Sequence, residues 1–393
     1  MRVLWFSWKD IHHPLAGGAE RLGHEWRRRL VQDGHVVQHV TARYAGSDET
    51  ETLDGVETIR RGRNAIAHYP AAITFHLQHT REWADVIVEE VNTVPYFTRA
   101  LPGRAPTVLL YFQLAREIWF HQTPQPVAAA GYLAESVYTR LQGLGGPSVI
   151  TISEDSKRDL VRYGFTADRI HIVRVAIDNA PLPAYDPASK EPAFTVLFQG
   201  SLRAMKRPIH ALIAFQTFAE RGGLGTLWIA GGGDDSELRQ HIEQARLASR
   251  VQLFGRTAEE QKLALMRRAS VLVATSVKEG WGLIVTEANS MGTPAIAYDI
   301  DGLRSAAGPH NWIAPPDPPA LADRLAEASR VFSDRGAYDD WCRRVLDDSR
   351  AYTFDASYAD FRRALMDSSL STVPPEGGTH DTVPPRGGTH PRR

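Results

Sequence analysis

Ala269-Ser270-Val271-Leu272-Val273-Ala274 is followed, a few residues on, by Glu279-Gly280-Trp281-Gly282-Leu283-Ile284-Val285-Thr286-Glu287. Val271 to Ala274 is a short apolar run suited to a buried parallel strand. Ser276 to Gly282 is a polar, glycine-containing turn, and Leu283 to Ser290 is compatible with a helix that Gly292-Thr293-Pro294 stops. Glu279 thereby falls on a loop and Glu287 inside a helix. Gly280 and Gly282 let backbone amides approach a ligand closely, and the unpaired amides of a first helical turn suit a phosphate. A carboxylate on either side of those amides is an acceptor-only group, for which the vicinal diols of a ribose or a hexose are natural donors. The plainer alternative makes Glu279 a solvent-facing loop residue and Glu287 an exposed helix residue.

The pattern continues on both sides. Ser276-Val277-Lys278 precedes Glu279, Ala288 follows Glu287, and then come Gly292-Thr293-Pro294-Ala295-Ile296-Ala297 and Asp301-Gly302-Leu303-Arg304. This spaced set closely resembles the donor-site signature of the family-4 (group 1) retaining glycosyltransferases, and the resemblance covers nearly the whole chain to about residue 365. It implies an α/β protein of the GT-B fold, with two Rossmann-like domains facing each other across a deep crevice. It also implies that the carboxylate of Glu279 contacts the transferred sugar, that Glu287 holds the nucleotide ribose, and that amides around Gly282 and Leu283 serve phosphate or sugar.

Length and composition permit such an enzyme. A chain of 393 residues exceeds the range in which one hydrophobic core keeps growing, and 43% hydrophobic content can fill two domains. Lys and Arg number 45 against 46 Asp and Glu, so a formal charge of -1 gives no bulk attraction for nucleic acid. Cys342 is the sole cysteine, which excludes an intrachain disulfide, argues against a cysteine-based metal cluster and fits a reducing cytosol. The apolar start, Val3 to Ser7, is interrupted by Lys9, Asp10, His12 and His13 before a signal-peptide core can form. No stretch approaches roughly 18 uninterrupted apolar residues. A cytoplasmic protein is expected, with a peripheral contact at the inner face of the membrane left open. Tyr111-Phe112-Gln113 through Trp119-Phe120, with Arg116 between, is a candidate patch for lipid or acceptor, although buried α/β packing explains the same aromatics.

In the first half, Val3 to Ser7 reads as a strand, Gly17-Gly18 as a loop and Arg21 to Leu30 as a helix that Gly34 closes before the strand Val36 to Val40. Gly17 and Gly18 can bring backbone close to phosphate or acceptor, or simply make a tight packing turn; the resemblance assigns them to the interdomain crevice. No Gly-x-Gly-x-x-Gly follows the first strand, so a nicotinamide-binding reading starts weak. Asp85 to Val88, Thr107 to Tyr111 and Ser148 to Ser153 continue the strand series, and Ser153 caps a helix over Glu154 to Tyr163. The expected organisation is a first domain over 1–180, a proline-bearing linker over 181–193, a second domain over 194–350 and a helix over 351–368 returning to the first domain. The second sheet continues through Thr226 to Ala230 and Val251 to Phe254. Thr372 to His380 recurs as Thr382 to His390, a Pro- and Gly-rich repeat with too little apolar surface to fold alone, so 369–393 is expected to be disordered.

Gly200-Ser201-Leu202-Arg203-Ala204-Met205-Lys206 leaves the first strand of the second domain, where cations can neutralise a diphosphate. It resembles the family's Gly-Arg-Leu then Lys pattern. Lys206 falls on the expected Lys, whereas Ser201 stands at the usual Arg position and Arg203 two residues beyond is assigned as its substitute. The resemblance places the glycine turn around Gly232 near the nucleotide and Arg256 beside the nucleobase; structural turns without ligand contact are the alternative. His12, His13, His121 and His310 share no metal-ligand spacing. Asp299-Ile300-Asp301 formally matches a metal-binding Asp-x-Asp, but its place after the glutamate motif argues against that role and no metal is assigned.

The implied reaction is retaining transfer of a hexosyl-type group from a nucleotide-diphosphate sugar to a hydroxyl on a glycan, lipid-linked saccharide or small metabolite, with no other cofactor. Glu279, Arg203 and Lys206 are the catalytic candidates. Glu287, Gly282, Leu283, Gly17, Gly18, Gly232, Arg256 and Ser201 are the donor-binding ones. A nucleotide-sugar 2-epimerase or hydrolase on the same architecture, or a non-catalytic sugar-nucleotide-binding protein, is the alternative. Oligomeric state is not legible.

Overall fold

Fourteen strands and their crossover helices form two separate sheets in the computed structural model, which describes residues 1–370. Of the stretch 369–393, expected to be disordered, residues 369 and 370 instead continue the last helix, where Ser369 Oγ donates to Met366 O at 2.8 Å, and the rest, including the repeat, lies outside the described residues. The first sheet contains β1 (Arg2–Phe6), β2 (Val36–Ala42), β3 (Thr50–Leu53), β4 (Val56–Arg61), β5 (Val86–Glu90), β6 (Thr107–Tyr111), β7 (Ser148–Thr151) and β8 (Ile170–Ile172). Their order is β3-β4-β2-β1-β5-β6-β7-β8, parallel throughout except for the antiparallel β3–β4 pair. The second sheet contains β9 (Thr195–Gln199), β10 (Thr226–Ala230), β11 (Val251–Gly255), β12 (Val271–Ala274), β13 (Ala295–Tyr298) and β14 (Trp312–Ala314). All its pairings are parallel, in the order β11-β10-β9-β12-β13-β14.

Central strands of such sheets are covered by helices on both faces, which is why they are written as unbroken apolar runs. Val3, Leu4, Trp5 and Phe6 are all fully buried, as are Val271 and Leu272. In each sheet the chain adds strands to one side of its first strand and then crosses to the other. The reversals fall between β1 and β5 and between β9 and β12. Open α/β sheets leave a crevice outside the carboxyl ends of the strands at such a reversal, so the loops leaving these four strands are where a ligand is held.

Several elements were not anticipated. β3 and β4 form a hairpin over Asp54-Gly55, both in left-handed backbone (φ +50 and +83), a turn signal that is present in the sequence. The helices Ala65–Phe75 and Val127–Gly143 and the strands β8, β13 and β14 were also missed. After the Gly232 turn a helix runs over Ser236–Gln244. Residues 181–193 are packed on the second sheet's domain: Leu182 N donates to Ser290 O at 2.9 Å, and Lys190 Nζ to Ala269 O at 3.0 Å.

The last helix, Phe354–Leu370, lies on the first sheet's domain. Trp26 stacks on Phe361 at 4.6 Å and donates its indole N–H to Ser357 Oγ at 3.0 Å. Tyr358 donates to Asp33 at 2.7 Å.

Candidate active site

Loops from both reversals meet around one cavity of about 300 Å³. Gly18, Val91 and Asn92 come from the loops after β1 and β5, and Lys206 and Glu279 to Ile284 from those after β9 and β12; Phe112 and Gln113, after β6, also line it. Two helix N-termini oppose each other there. Gly18 opens the helix Gly18–Gln32, and Gly282 caps the helix Leu283–Ser290 in left-handed backbone (φ +103) that favours glycine. The approach is close, since a Cβ added to Gly18 would stand 2.6 Å from Leu283 Cδ1. Gly17 holds the same turn through its N–H, which donates to Glu20 Oε2 at 2.7 Å.

Lys206 and Glu279 form an ion pair on the cavity wall, and Ser276 Oγ donates to the same Glu279 oxygen at 2.6 Å. The loop bearing Glu279 is fixed from behind. Its N–H donates to Asp301 O at 3.4 Å, and Gly302 (φ +82) lies so close that a Cβ there would meet Glu279 O at 2.1 Å. That loop is in turn gripped by the other domain: Asp155 Oδ2, in the helix Glu154–Arg162, accepts from Gly302 N at 2.9 Å and from Ser305 Oγ at 2.7 Å, and Arg304 reaches Oδ1 at 3.3 Å. Burial opposes ionisation of Asp155, but these bonds with Arg158 and Arg304 outweigh it and hold the carboxyl below its ordinary range. Beside it Lys278 Nζ donates to Asp159 Oδ2 at 3.0 Å, a second buried bond between the domains.

Glu287 has other company. Lys262, from the helix Glu259–Arg268, stands 3.1 Å from its carboxylate, and Glu287 is not part of the cavity wall. Burial pushes its carboxyl above the usual range despite the pull of Lys262. Neither Glu279 nor Glu287 is solvent-facing, their side chains being 16% and 14% exposed, so the plainer surface alternative does not hold.

Ser201, Arg203, Gly232 and Arg256 lie just past the carboxyl ends of β9, β10 and β11, and none of them lines the cavity. Arg203 is exposed and its Nε donates to Ser201 Oγ at 3.0 Å. Leu202 N donates to Gly232 O at 2.9 Å, and a Cβ on Gly232 would stand 3.1 Å from Arg256 Nε.

Residues 16–180 match the family described as Glycosyltransferase Family 4, and residues 186–335 match Glycosyl transferases group 1. The chain belongs to this glycosyltransferase family. It is 27% identical over 312 residues to the GDP-mannose:cellobiosyl-diphosphopolyprenol alpha-mannosyltransferase of Xanthomonas oryzae pv. oryzae, covering 73% of this chain and 76% of that protein. Its fold matches sucrose-phosphate synthase from Thermosynechococcus elongatus with a TM-score of 0.74 at 18% identity, over 94% of this chain and 100% of that one. It also matches Anabaena HepE in complex with UDP-glucose, with a TM-score of 0.66 at 16% identity, over 95% and 100% of the two chains. The fold is GT-B, as the resemblance implied.

In this glycosyltransferase the aromatic patch considered for lipid or acceptor is largely interior. Tyr111 and Phe112 are buried, and the Phe112 carbonyl packs where a Cβ on Gly280 would come within 2.6 Å. Gln113 Oε1 is buried without a hydrogen-bond partner in the described structure, although Gln113 lines the cavity. None of His12, His13, His121 and His310 lines the cavity, and His310 lies 2.6 Å from Asp348. Asp299 and Asp301 both pair with Arg304, at 2.6 and 3.3 Å.

A buried charged cluster beneath the Gly17-Gly18 turn escaped sequence reasoning. Glu20 pairs with Lys9 at 2.8 Å. Glu90, at the end of β5, accepts from Trp5 Nε1 at 3.3 Å; burial and the neighbouring Glu20 push its carboxyl up to about 7. Arg27 lies over the Trp5 ring at 4.8 Å, its Nε and Nη1 without hydrogen-bond partners. Asn92 and Glu90 were reachable from sequence, because they close the apolar run that begins at Val86. Asp155 and Lys262 were not, because their partners lie 147 and 25 residues away.

Proposed function

We propose that this glycosyltransferase moves a hexosyl group from a nucleotide-diphosphate sugar to a hydroxyl of a lipid-linked saccharide, with retention at the anomeric carbon and without a metal ion. The observation that carries this is the Lys206–Glu279 pair set between two opposed helix N-termini in the interdomain cavity. Residues 1–180 supply the acceptor side and 194–350 the donor side. Lys206 exchanges Glu279 for the donor diphosphate on binding, which frees the carboxylate for sugar hydroxyls. Glu287 holds the ribose, while Ser201, Gly232 and Arg256 border the phosphates and base.

In the transfer step the acceptor oxygen bonds to the anomeric carbon on the face from which the diphosphate departs. The bond from that carbon to the phosphate oxygen breaks, and the acceptor proton passes to the departing phosphate. Lys206, Arg203 and the amides at Gly18 and Leu283 stabilise the charge growing on the leaving group. The acceptor class is supported by the Xanthomonas relative, whose named acceptor is cellobiosyl-diphosphopolyprenol, and the donor class by HepE, solved with UDP-glucose. The single thiol, Cys342, is buried, in keeping with a reducing cytoplasmic setting.

The test is a mass-spectrometric screen of UDP-, GDP- and ADP-hexoses against diphosphopolyprenyl saccharides in the presence of a metal chelator. A glycosylated lipid with retained anomeric configuration is expected from one nucleotide class. A changed free sugar with no acceptor product marks an epimerase or hydrolase instead, and donor binding without turnover marks a binding protein.

A further inference from the structure

Helix Val127–Gly143 turns an apolar face to solvent. Leu133, Val137, Leu141 and Leu144, spaced to share one side, are each more than half exposed. A monomer gains nothing by presenting such a stripe to water, so the identity of what covers it is the question.

Charge on and around this helix narrows the choice. Between Glu117 and Glu154 the chain contains one acid, Glu135, and it is turned inward. It accepts from Ala115 N and Arg116 N, each at 2.6 Å, and from Trp119 Nε1 at 3.2 Å. The exposed side of the helix therefore carries Arg140 and no carboxylate. Just past Leu144 lies a cavity of about 370 Å³ at the amino ends of β6 and β7, the pole of the sheet opposite the crevice. Arg99 and Arg169 line it, and neither forms an ion pair among the described residues. Arg99 Nη1 caps the helix by donating to Gln142 O at 2.8 Å and Leu144 O at 3.1 Å, which leaves Nη2 beside Gly145. Ser148 also lines this cavity, is buried, and has a hydroxyl with no hydrogen-bond partner. Two cations and an idle hydroxyl in a polar recess suit a phosphate.

We propose that this face docks on a phospholipid bilayer, with Leu133, Val137, Leu141 and Leu144 in the interfacial layer and a headgroup phosphate in the Arg99–Arg169 cavity. Apolar side chains beside a cationic recess match the pairing of acyl chain and headgroup at a membrane surface. No helix among the described residues is long and apolar enough to cross a membrane, so the contact is peripheral. Docking here also brings a bilayer to the acceptor side of the enzyme. Tyr132 and Arg140 of the same helix line an interdomain cleft of about 590 Å³ together with Lys278, the neighbour of Glu279. The surface stands independently of the donor and acceptor assigned above, because its test reads binding and not turnover.

The full chain is sedimented with vesicles of phosphatidylcholine alone and of phosphatidylcholine mixed with phosphatidylglycerol. Binding to the mixed vesicles is expected, and the triple variant L133S/V137S/L141S should lose it by about tenfold or more with an unchanged melting temperature. R169E, which leaves the helix cap intact, should weaken the preference for anionic vesicles, and inorganic phosphate should compete weakly if the recess prefers a headgroup anchored in the bilayer. Absence of wild-type binding, or equal binding by the triple variant, overturns the proposal. So does a wild-type dimer that the triple variant converts to monomer, since a second copy would then cover the stripe. Competition by inorganic phosphate strong enough to leave no dependence on the apolar residues also overturns it, by assigning the recess to a free anion.

Discussion

Replacing Asp155 with Asn should loosen the grip of one domain on the loop of the other that backs Glu279. Its side chain is 2% exposed, and it accepts from Gly302 N, Ser305 Oγ and Arg304, all across the crevice. Hydrogen bonds to a charged acceptor contribute about 1.5–3 kcal/mol each. Arg304 is half-exposed and shared with Asp299 and Asp301, so its part is discounted for solvent screening. Asn keeps one acceptor oxygen but turns an N–H₂ toward donors. A net loss of about 3 kcal/mol follows, roughly a hundredfold in the balance of closed and open forms. Small-angle scattering should show a larger radius of gyration for D155N, and kcat/KM for transfer should fall while nucleotide affinity changes little, because Glu287 and Lys262 belong to one domain. G302A, which places a Cβ 2.1 Å from Glu279 O, should lower turnover without altering any charge. The sign with pH is fixed as well. Closure holds the Asp155 carboxyl below its ordinary range, so its contribution is complete at neutral pH and is lost as pH falls through that lowered value. A D155N enzyme with reduced melting temperature but wild-type scattering and wild-type turnover would refute the reasoning, since Asp155 would then serve only its own helix.

Glu287→Gln should weaken nucleotide binding by about 1–3 kcal/mol, read by calorimetry, if the carboxylate holds the ribose; unchanged affinity rejects that role. Lys206→Ala should reduce the transfer rate by an amount equivalent to about 3 kcal/mol while Arg203→Ala costs less, because Arg203 is exposed and must swing to reach a diphosphate. Equal rates for wild type and K206A would remove Lys206 from the leaving-group site. Glu90 behaves oppositely to Asp155: its carboxyl is raised to about 7, so wild-type stability should decline as pH rises from the ordinary carboxylate range toward 7, and E90Q should flatten that slope in thermal melts. A slope that survives in E90Q assigns it to other groups.

What could be read in advance followed from local chemistry. Val271 to Ala274, the glycine-bearing turn and Leu283 to Ser290 are each decided by their own residues, and the structure has β12 over Val271–Ala274 and the helix over Leu283–Ser290. The Ser153 cap is equally local, its Oγ accepting from Ser156 N at 3.1 Å. The aromatic run Tyr111 to Phe120 could not be placed, because an apolar run reads alike whether a strand buries it or a surface shows it. The helix Val127–Gly143 was passed over for a related reason. Its inward residues are Glu135, Thr139 and Gln142 and its outward ones are Leu133, Val137 and Leu141, the reverse of the pattern by which an amphipathic helix announces itself.

That inversion ties the crevice to the proposed membrane face. Glu135 is drawn inward because Arg116 sits in left-handed backbone (φ +43), which turns two successive amides toward one carboxylate. The same bend carries the chain from Phe112 and Gln113, on the cavity wall, to Trp119, on which Gly131 packs so tightly that a Cβ there would come within 2.5 Å. With its polar residues used on the inside to hold that loop, the helix has only aliphatic residues and Arg140 left for its outer side. The apolar stripe is thus coupled to the loop that lines the site, and a protein that lost the stripe by substitution at Leu133 or Val137 should keep the crevice intact. One that lost Glu135 should lose both, which separates a docking defect from a folding defect in the same helix.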